Sequence, residues 1–268
     1  MKKVALVFWL ILMLLQAQTA FAKKLAPEAG FVETFKSANG LWRVEITYKG
    51  YPQDSPSDCS FFEGDYLQWQ REIPLTPGRV LVADNGCSIV MTRWGWYDED
   101  GAKGLLFYNK EGDLLKEVAF SDDPSRGSLL WMDAFVMAAD GSYCIVASHW
   151  RDQGEARLRL YDCRTGNLVW RRSYMLEREI IEPVQVRIAN GGRMILVAAY
   201  NYSTADMAYF VLDKQGDILW QESFYHNFTW DKKDYIRMDE KGFNFEVFDR
   251  AQNRYRCFQL EDRRVIEL

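Results

Sequence analysis

Side chains able to carry acid–base or metal chemistry are few in this sequence. Histidine occurs only at His149 and His226, so a site with three histidine ligands is excluded. The predicted order of the strands puts both histidines on the same side of the fold. Two solvated rim residues are the favoured interpretation, and a metal site that they share with an aspartate is the alternative. The acidic run 98–101 resembles part of a calcium loop. It lacks the third acidic position and the distal glutamate, which favours a hairpin tip, so we expect no metal and no cofactor.

Motifs of nucleophilic or nucleotide chemistry are also missing. The sequence contains no nucleophile elbow, no P-loop and no glycine-rich dinucleotide motif. We therefore assign no catalytic residue.

Aromatic side chains cluster where we expect loops between a second and a third strand and between successive units. Aromatic residues in loops are not needed to fill strand interiors, and beside arginine they suit a protein-binding or glycan-binding surface. The alternative interpretation is that they cap the edge of the core and cover neighbouring loops. We call the predicted surface the aromatic loop face, and its residues are Arg93, Trp94, Trp96, His149, Trp150, Tyr200, Tyr202 and Trp230.

Five cysteines are an odd number for an oxidising compartment. Cys144 and Cys163 fall roughly opposite one another on predicted antiparallel strands, and they form either a cross-strand disulfide or two buried thiols. Cys59 with Cys87 is a weaker candidate pair. Cys257 is left over and is interpreted as a buried free thiol.

A turn built on Asn-Gly or Asp-Gly, degraded in the last unit, recurs along the chain. Its glycines are 46, 55, 50 and 51 residues apart, at Gly40, Gly86, Gly141, Gly191 and Gly242. A second set of turns follows at Gly64, Gly112, Gly166 and Gly216. A period near fifty residues with several short strands per unit is typical of a radial β-array.

Each unit contains four strand-like runs bounded by Gly, Asn or Asp, and the fourth unit shows them most clearly, at 183–189, 193–200, 207–213 and 217–224. Five such meanders bury both of their faces only by stacking around an axis, which predicts an all-β, five-bladed β-propeller of four-stranded antiparallel blades. A β-sandwich or an open solenoid also accepts the pattern. Every unit owns its four strands, so no strand exchange between the termini is visible to close the ring.

The third unit carries the pattern D-x-x-T-G-x-x-x-W at Asp162, Thr165, Gly166 and Trp170, and the fourth unit echoes it at Asp213, Gly216 and Trp220. This pattern resembles the tryptophan-docking repeat of quinoprotein-like (PQQ-type) propellers, with a likeness to WD40-like propellers. The resemblance implies that the glycine turns the outer hairpin and that the tryptophan packs between blades, as would Trp69. The quinoprotein dehydrogenases of that family are larger eight-bladed rings with adjacent cysteines and an acidic calcium site, which this sequence lacks. Its non-enzymatic members, binding modules and scaffolds of envelope assembly, fit the length better.

Residues 1–22 are predicted to be a cleaved signal peptide, with a basic start, an apolar run at 4–15 and a small-residue cleavage site at 20–22. The apolar run of 12 residues is shorter than the roughly 20 needed to cross a bilayer core of about 30 Å, so no membrane insertion is expected after cleavage. No cysteine follows the run, which disfavours a lipid anchor. We expect a short linker at 23–30, a single propeller domain at 31–268 and a periplasmic or secreted location.

Removing the signal peptide leaves 31 basic against 38 acidic residues, a net charge of −7, which argues against nucleic acid or anionic lipid as a partner. We expect a non-catalytic module that binds an envelope protein or a glycan, or acts as a scaffold, through the aromatic loop face. One alternative is a glycoside hydrolase or lyase with paired carboxylates in the axial funnel. Another is a subunit that functions only inside a larger envelope assembly.

Overall fold

The computed structural model describes residues 30–49, 56–73, 76–93, 102–120, 130–150, 156–173, 175–176, 179–201, 204–225 and 234–268. These residues form five antiparallel sheets in which consecutive strands are neighbours. Across these ranges the only helical segment is a three-residue 3-10 turn at Asn190–Gly192. The predicted all-β architecture is therefore confirmed, with five blades of the β-propeller type.

Every predicted unit has its four strands, numbered here in chain order. Blade 1 contains β1 (Val32–Lys36), β2 (Trp42–Tyr48), β3 (Ser57–Glu63) and β4 (Tyr66–Ile73). Blade 2 contains β5 (Thr76–Val82), β6 (Ser88–Arg93), β7 (Ala102–Tyr108) and β8 (Leu114–Ala119). Blade 3 contains β9 (Leu130–Met137), β10 (Tyr143–Trp150), β11 (Ala156–Asp162) and β12 (Asn167–Ser173).

Blade 4 adds a short fifth strand, β13 (Met175–Leu176), which the sequence pattern does not predict. Its other strands are β14 (Glu179–Ile188), β15 (Ile195–Asn201), β16 (Asp206–Leu212) and β17 (Ile218–Tyr225). Blade 5 contains β18 (Ile236–Met238), β19 (Asn244–Asp249), β20 (Arg254–Glu261) and β21 (Arg264–Glu267).

The recurring Gly turns join the first and second strands of every blade, as predicted. Their five glycines have φ between +66° and +84°, a conformation that glycine adopts without steric cost. The second set of glycines joins the third and fourth strands of blades 1 to 4. In blade 5 that position holds Asp262 and Arg263 instead.

The first strand of each blade is the innermost. β1, β5, β9 and β14 each contact the first long strand of the next blade along the chain, whereas the fourth strands β4 and β8 are largely exposed. The middle blades are covered on both faces, and in blade 4 every residue of β15 is buried. Apolar clusters between consecutive blades form the core, such as Ile145 and Leu160 of blade 3 against Val197 and Phe210 of blade 4.

Large side chains of one blade pack onto the glycines of the next. A methyl group on Gly112 would lie 2.6 Å from the indole of Trp69, and one on Gly216 would lie 3.1 Å from that of Trp170. The indole of Trp220 packs between blades as well, with ring centroids 5.6 Å from Phe245 and 4.9 Å from Phe258 in blade 5. These three tryptophans therefore pack between blades, as the family resemblance implies.

The turns between first and second strands follow the same arrangement. The indole of Trp42 packs on Gly86, and its Nε1 donates a hydrogen bond of 3.1 Å to the carbonyl oxygen of Asp84. Further hydrogen bonds link the turns of consecutive blades: Asn39 N to Asp84 Oδ1 (2.8 Å), Asp84 N to Ala139 O (2.8 Å), Asp140 N to Asn190 Oδ1 (3.1 Å) and Asn190 N to Glu240 O (2.9 Å). One line of hydrogen bonds therefore connects all five blades.

The two terminal blades lack this packing on one side. A methyl group on Gly40 or Gly64 of blade 1 would have no atom within 4 Å. The uncovered side of β2 carries half-buried polar residues, including Arg43 and Glu45, while that of blade 5 carries Glu246. Among the described strands, none of blade 1 packs extensively on one of blade 5.

All five cysteines are free thiols. Cys144 is paired across the strands with Tyr161 rather than with Cys163, so the interpretation as two buried thiols is the one that the structure supports. Cys59 and Cys87 are not bridged either, and Cys257 is free but only half-buried. Burial raises the pKa of Cys59 to about 12 and holds those of Cys144 and Cys163 above the ordinary thiol value.

Replacing Gly112 by alanine tests the packing between blades. We expect a loss of about 2–4 kcal/mol in the free energy of unfolding, because the new methyl group combines left-handed strain with a clash against Trp69. Gly64→Ala is the matched control, since its φ is also positive but nothing lies nearby, and we expect it to cost about 1 kcal/mol. Equal losses in urea unfolding would contradict this role of Trp69.

The buried thiols predict instability at alkaline pH. Above the ordinary thiol pKa the unfolded chain loses a proton that folded Cys59 retains up to about pH 12, so stability falls as pH rises through this window. We expect Cys59→Ala to reduce the slope of the unfolding free energy by up to about 1.4 kcal/mol per pH unit between roughly pH 9 and 12. Val44→Ala truncates the same apolar cluster without removing a proton and serves as the control. An unchanged slope in Cys59→Ala would contradict the prediction.

Candidate binding surface

The two sides of the propeller differ in the length of their connections. The side that holds the glycine turns, here called the turn side, has tight hairpins such as 37–41 and 64–65. The opposite side, the loop side, holds the connections between second and third strands and between blades. Several of these are longer: eight residues at 94–101, ten at 120–129 and ten at 226–235. The longest connections of the chain therefore start and end on the loop side of the strands.

The residues of the aromatic loop face are placed to different extents. Arg93 is the last residue of β6, and His149 and Trp150 are the last two of β10, so their backbones lie at the loop side. The predicted residues that lie outside the described ranges are Trp94, Trp96, Tyr202 and Trp230. A binding role for this set stays a prediction.

Tyr200 is the member of the set whose side chain the structure describes. It lies at the loop-side end of β15, is 8% exposed and packs in the apolar cluster between blades 4 and 5. This tyrosine therefore covers the edge of the core, which is the alternative interpretation of the loop aromatics. Its neighbours in the set must provide any exposed contact.

Sequence reasoning did not identify the buried arginine of blade 3, Arg159. Its side chain is 7% exposed, its Nη1 donates a hydrogen bond of 2.6 Å to Ser148 Oγ, and its guanidinium lies 5.6 Å from the ring centre of Phe120 in blade 2. In β11, arginine alternates with buried leucine, which in a one-sided sheet would place the arginine in water. Here neighbouring blades cover both faces, so the alternation signals a polar contact between blades.

Blades 4 and 5 are joined near the axis by Gln185 of β14. Its Oε1 accepts hydrogen bonds from the backbone N–H of Tyr235 (2.9 Å) and Ile236 (3.1 Å), and its Nε2 donates one to Asp234 Oδ1 (3.0 Å). Both ends of this amide are therefore used in positioning the first strand of blade 5. The role is structural.

Arg256 links the outer strands of the same two blades. Its guanidinium lies 2.7 Å from Glu222 of β17 and 2.6 Å from Glu267 of β21, and it stacks on Phe224 and Phe258. The hydrogen bond from Arg256 lowers the pKa of Glu267, so that carboxylate stays ionised well below neutral pH. An ion pair of this kind holds two blades together and does not prepare a general acid.

The catalytic alternative depends on carboxylates of the innermost strands that would line the axial funnel. Of the four carboxylic acids on the innermost strands, Glu33, Asp133, Glu179 and Glu182, the structure describes the side chain of Glu33, which accepts a hydrogen bond of 2.7 Å from the hydroxyl of Tyr48. Convergence of carboxylates in the funnel stays a prediction.

Among the described residues, no group of three or more His, Cys, Asp or Glu side chains is arranged to hold a metal ion. His226 and the acidic run 98–101 lie outside those ranges, and in the described part no helix is long and apolar enough to cross a bilayer.

No protein-family model matches the chain, and no curated protein does. Solved structures do resemble it. Hydrazine synthase from Kuenenia stuttgartiensis superposes with a TM-score of 0.52 at 10% identity, over 84% of this chain and 63% of that one. KlAtg21, in its complex with the coiled coil of AgAtg16, gives a TM-score of 0.51 at 12% identity, over 88% of this chain and 68% of that one.

The Cps50 (Swd1) β-propeller domain of Myceliophteria thermophila gives a lower TM-score of 0.46 at 12% identity, over 87% of this chain and 71% of that one. The present chain thus spans less than two thirds of the hydrazine synthase chain. At such low identities a likeness of structure establishes the fold alone. The five antiparallel sheets, four with four strands and one with five, assign this chain to the β-propeller fold.

Proposed function

We propose that this protein is a non-catalytic binding or scaffolding module that holds a partner protein, or a glycan, on its loop side. The observation that carries the proposal is the contrast between the two sides of the fold. Tight turns and packing between blades fix the strand ends, while the long connections emerge together on the opposite side. Rigid scaffolds with variable loops on one side are the usual arrangement of binding modules.

The composition of these connections supports recognition of a protein or a sugar. They contain Trp94, Trp96 and Trp230, and Arg93 ends the strand before the first two. Tryptophan, tyrosine and arginine contribute most to binding energy at interfaces, and aromatic rings also stack on sugars. One of the similar structures is that of a complex with a coiled coil, which supports a protein partner in general terms.

The amino-terminal segment supports a location in the periplasm or outside the cell. A basic start, an apolar run and a small-residue cleavage site form a secretory signal. In that compartment the partner would be an envelope protein, an envelope glycan or a larger envelope assembly. The acidic surface of the mature chain agrees with a partner other than nucleic acid.

Capture from the cell's own envelope fraction tests this proposal. Immobilised mature protein, residues 23–268, should retain a specific protein or glycan. The double variant Trp96→Ala with Trp150→Ala should lose about 2 kcal/mol or more of binding energy while its thermal unfolding midpoint stays nearly unchanged. The control double variant, Tyr66→Ala with Leu168→Ala, removes exposed apolar side chains from the outer strands β4 and β12 and should bind normally.

Two results would contradict the proposal. One is capture of nothing above background by the folded wild-type protein. The other is equal capture by the tryptophan double variant, which would remove the aromatic loop face from the binding surface. Turnover of a glycan by the mature protein would favour the enzyme alternative instead.

A further inference from the structure

The packing of large side chains on glycine is interrupted at one position between blades 4 and 5. The hairpins that follow the third strands of blades 2, 3 and 4 have a glycine, which Trp69, Lys116 and Trp170 of the preceding blades cover. The matching hairpin of blade 5 has Asp262 and Arg263, and the indole of Trp220 packs inward on Phe245 and Phe258.

A cleft of about 520 Å³ opens at this interruption, on the turn side. Its lining includes Arg193, Lys214 and Leu219 of blade 4 and Phe243 and Arg263 of blade 5. Its size lies within the usual range of ligand sites, and it has an apolar floor with three cations around it. The residues come from four different turns, so the meeting of two blades creates the cleft.

The lining has two acidic residues, Asp213 and Asp262, against its three cations. Asp213 is 6% exposed, and its Oδ1 accepts hydrogen bonds of 2.9 Å from the backbone N–H of Gln215 and Asp217. Its Oδ2 lies 2.8 Å from Arg263 Nη2. The buried carboxylate thus orients Arg263, whose side chain is 63% exposed and also lies 3.9 Å from Asp217 Oδ2. Asp217 and Asp262 are exposed negative charges near this arginine, whereas Arg193 and Lys214 lie on the blade 4 side of the cleft.

Arg193 and Lys214 are exposed and form no ion pair with any residue in the described ranges. The guanidinium of Arg193 lies 4.5 Å from the ring centre of Phe243, which is 41% exposed. A cation fixed on an exposed aromatic ring presents a charge and an apolar surface side by side. These exposed cations contrast with the net charge of −5 of the whole chain.

The backbone of the blade 5 hairpin is strained. Asp262 and Arg263 have φ of +45° and +65°, in the left-handed region that costs a residue with a side chain about 1–2 kcal/mol. The turns at the matching position in the other four blades place a glycine there. A glycine at this position would remove the backbone strain, yet the chain has Arg263, whose guanidinium lies at the cleft. Backbone strain of this kind is typical of functional sites.

We propose that this cleft binds an acidic segment of a partner protein, with its carboxylates on Arg193 and Lys214 and an adjacent apolar side chain on Phe243 and Leu219. An open cleft with exposed cations suits a polypeptide that lies across it, because such rim charges speed association and give it a salt dependence. This surface is on the turn side, opposite the aromatic loop face. The inference therefore goes beyond the proposed function and does not depend on it.

Synthetic peptides test the proposal on the whole mature protein. The probes are a fluorescent peptide of alternating short Glu and Phe/Leu clusters, a counterpart with Gln in place of Glu, and inorganic phosphate as competitor. We expect saturable binding of the acidic peptide by fluorescence anisotropy, at least about tenfold weaker binding of the Gln peptide, and several-fold weakening between about 0.05 M and 0.3 M NaCl.

Charge reversal identifies the site. Lys214→Glu and Arg193→Glu should each weaken binding of the acidic peptide by about tenfold or more. Lys110→Glu is the matched control, because Lys110 occupies the position of Lys214 in the corresponding hairpin of blade 2, and it should bind like the wild-type protein. The double variant Trp96→Ala with Trp150→Ala should also bind the peptide normally, so failure of this proposal and failure of the loop-side proposal are distinguishable.

Three results would overturn the inference. They are no binding of the acidic peptide by the folded wild-type protein, equal weakening by Lys110→Glu, and binding of phosphate without binding of the peptide. The last result would assign the cleft to small anions. Thermal unfolding of each variant checks that it is folded, and agreement of the two charge reversals supports the site even if one of them is destabilised.

Discussion

The structure depends on a steric constraint at the contact between consecutive blades. A turn that lacks a Cβ atom receives a large side chain from the blade before it, as Gly112 receives Trp69 and Gly216 receives Trp170. A single four-stranded meander cannot bury both of its faces, so each blade is stable only through this contact and the apolar clusters behind it. The glycine allows the turn its left-handed conformation and also leaves space for the indole ring.

This constraint explains why much of the fold could be predicted from sequence. Glycine with an adjacent Asn or Asp marks a turn locally, so the strands and the turns followed from the pattern of the sequence. The packing of Trp170 and Trp220 between blades followed from the family resemblance of the motifs that contain them. The short strand β13 did not, because it forms only where the chain returns to pair with β14. Its two residues carry no periodic signal.

The candidate surfaces were harder to predict, because they depend on which blades meet. The burial of Arg159 and Tyr200 follows from a second covered face, which the alternation within one strand does not reveal. The cleft between blades 4 and 5 follows from a missing glycine at Asp262 and Arg263, and the sequence shows it only as a departure from the repeat. The repeated strands and turns could therefore be predicted from sequence, whereas the buried arginine and the cleft became visible only in the three-dimensional structure.

The uncovered sides of blades 1 and 5 have a consequence for how stability is distributed. When each unit is stabilised only by its sequence neighbours, the free energy is approximately a sum over interfaces, and units at the two ends contribute to one interface instead of two. Opening of the array is then expected to begin at its ends, like the fraying of a helix, with amide protection greatest in blades 3 and 4 and declining outward. The half-buried Arg43 and Glu246 keep these outer faces wet, which disfavours growth of the array into a filament through end-to-end contacts between copies.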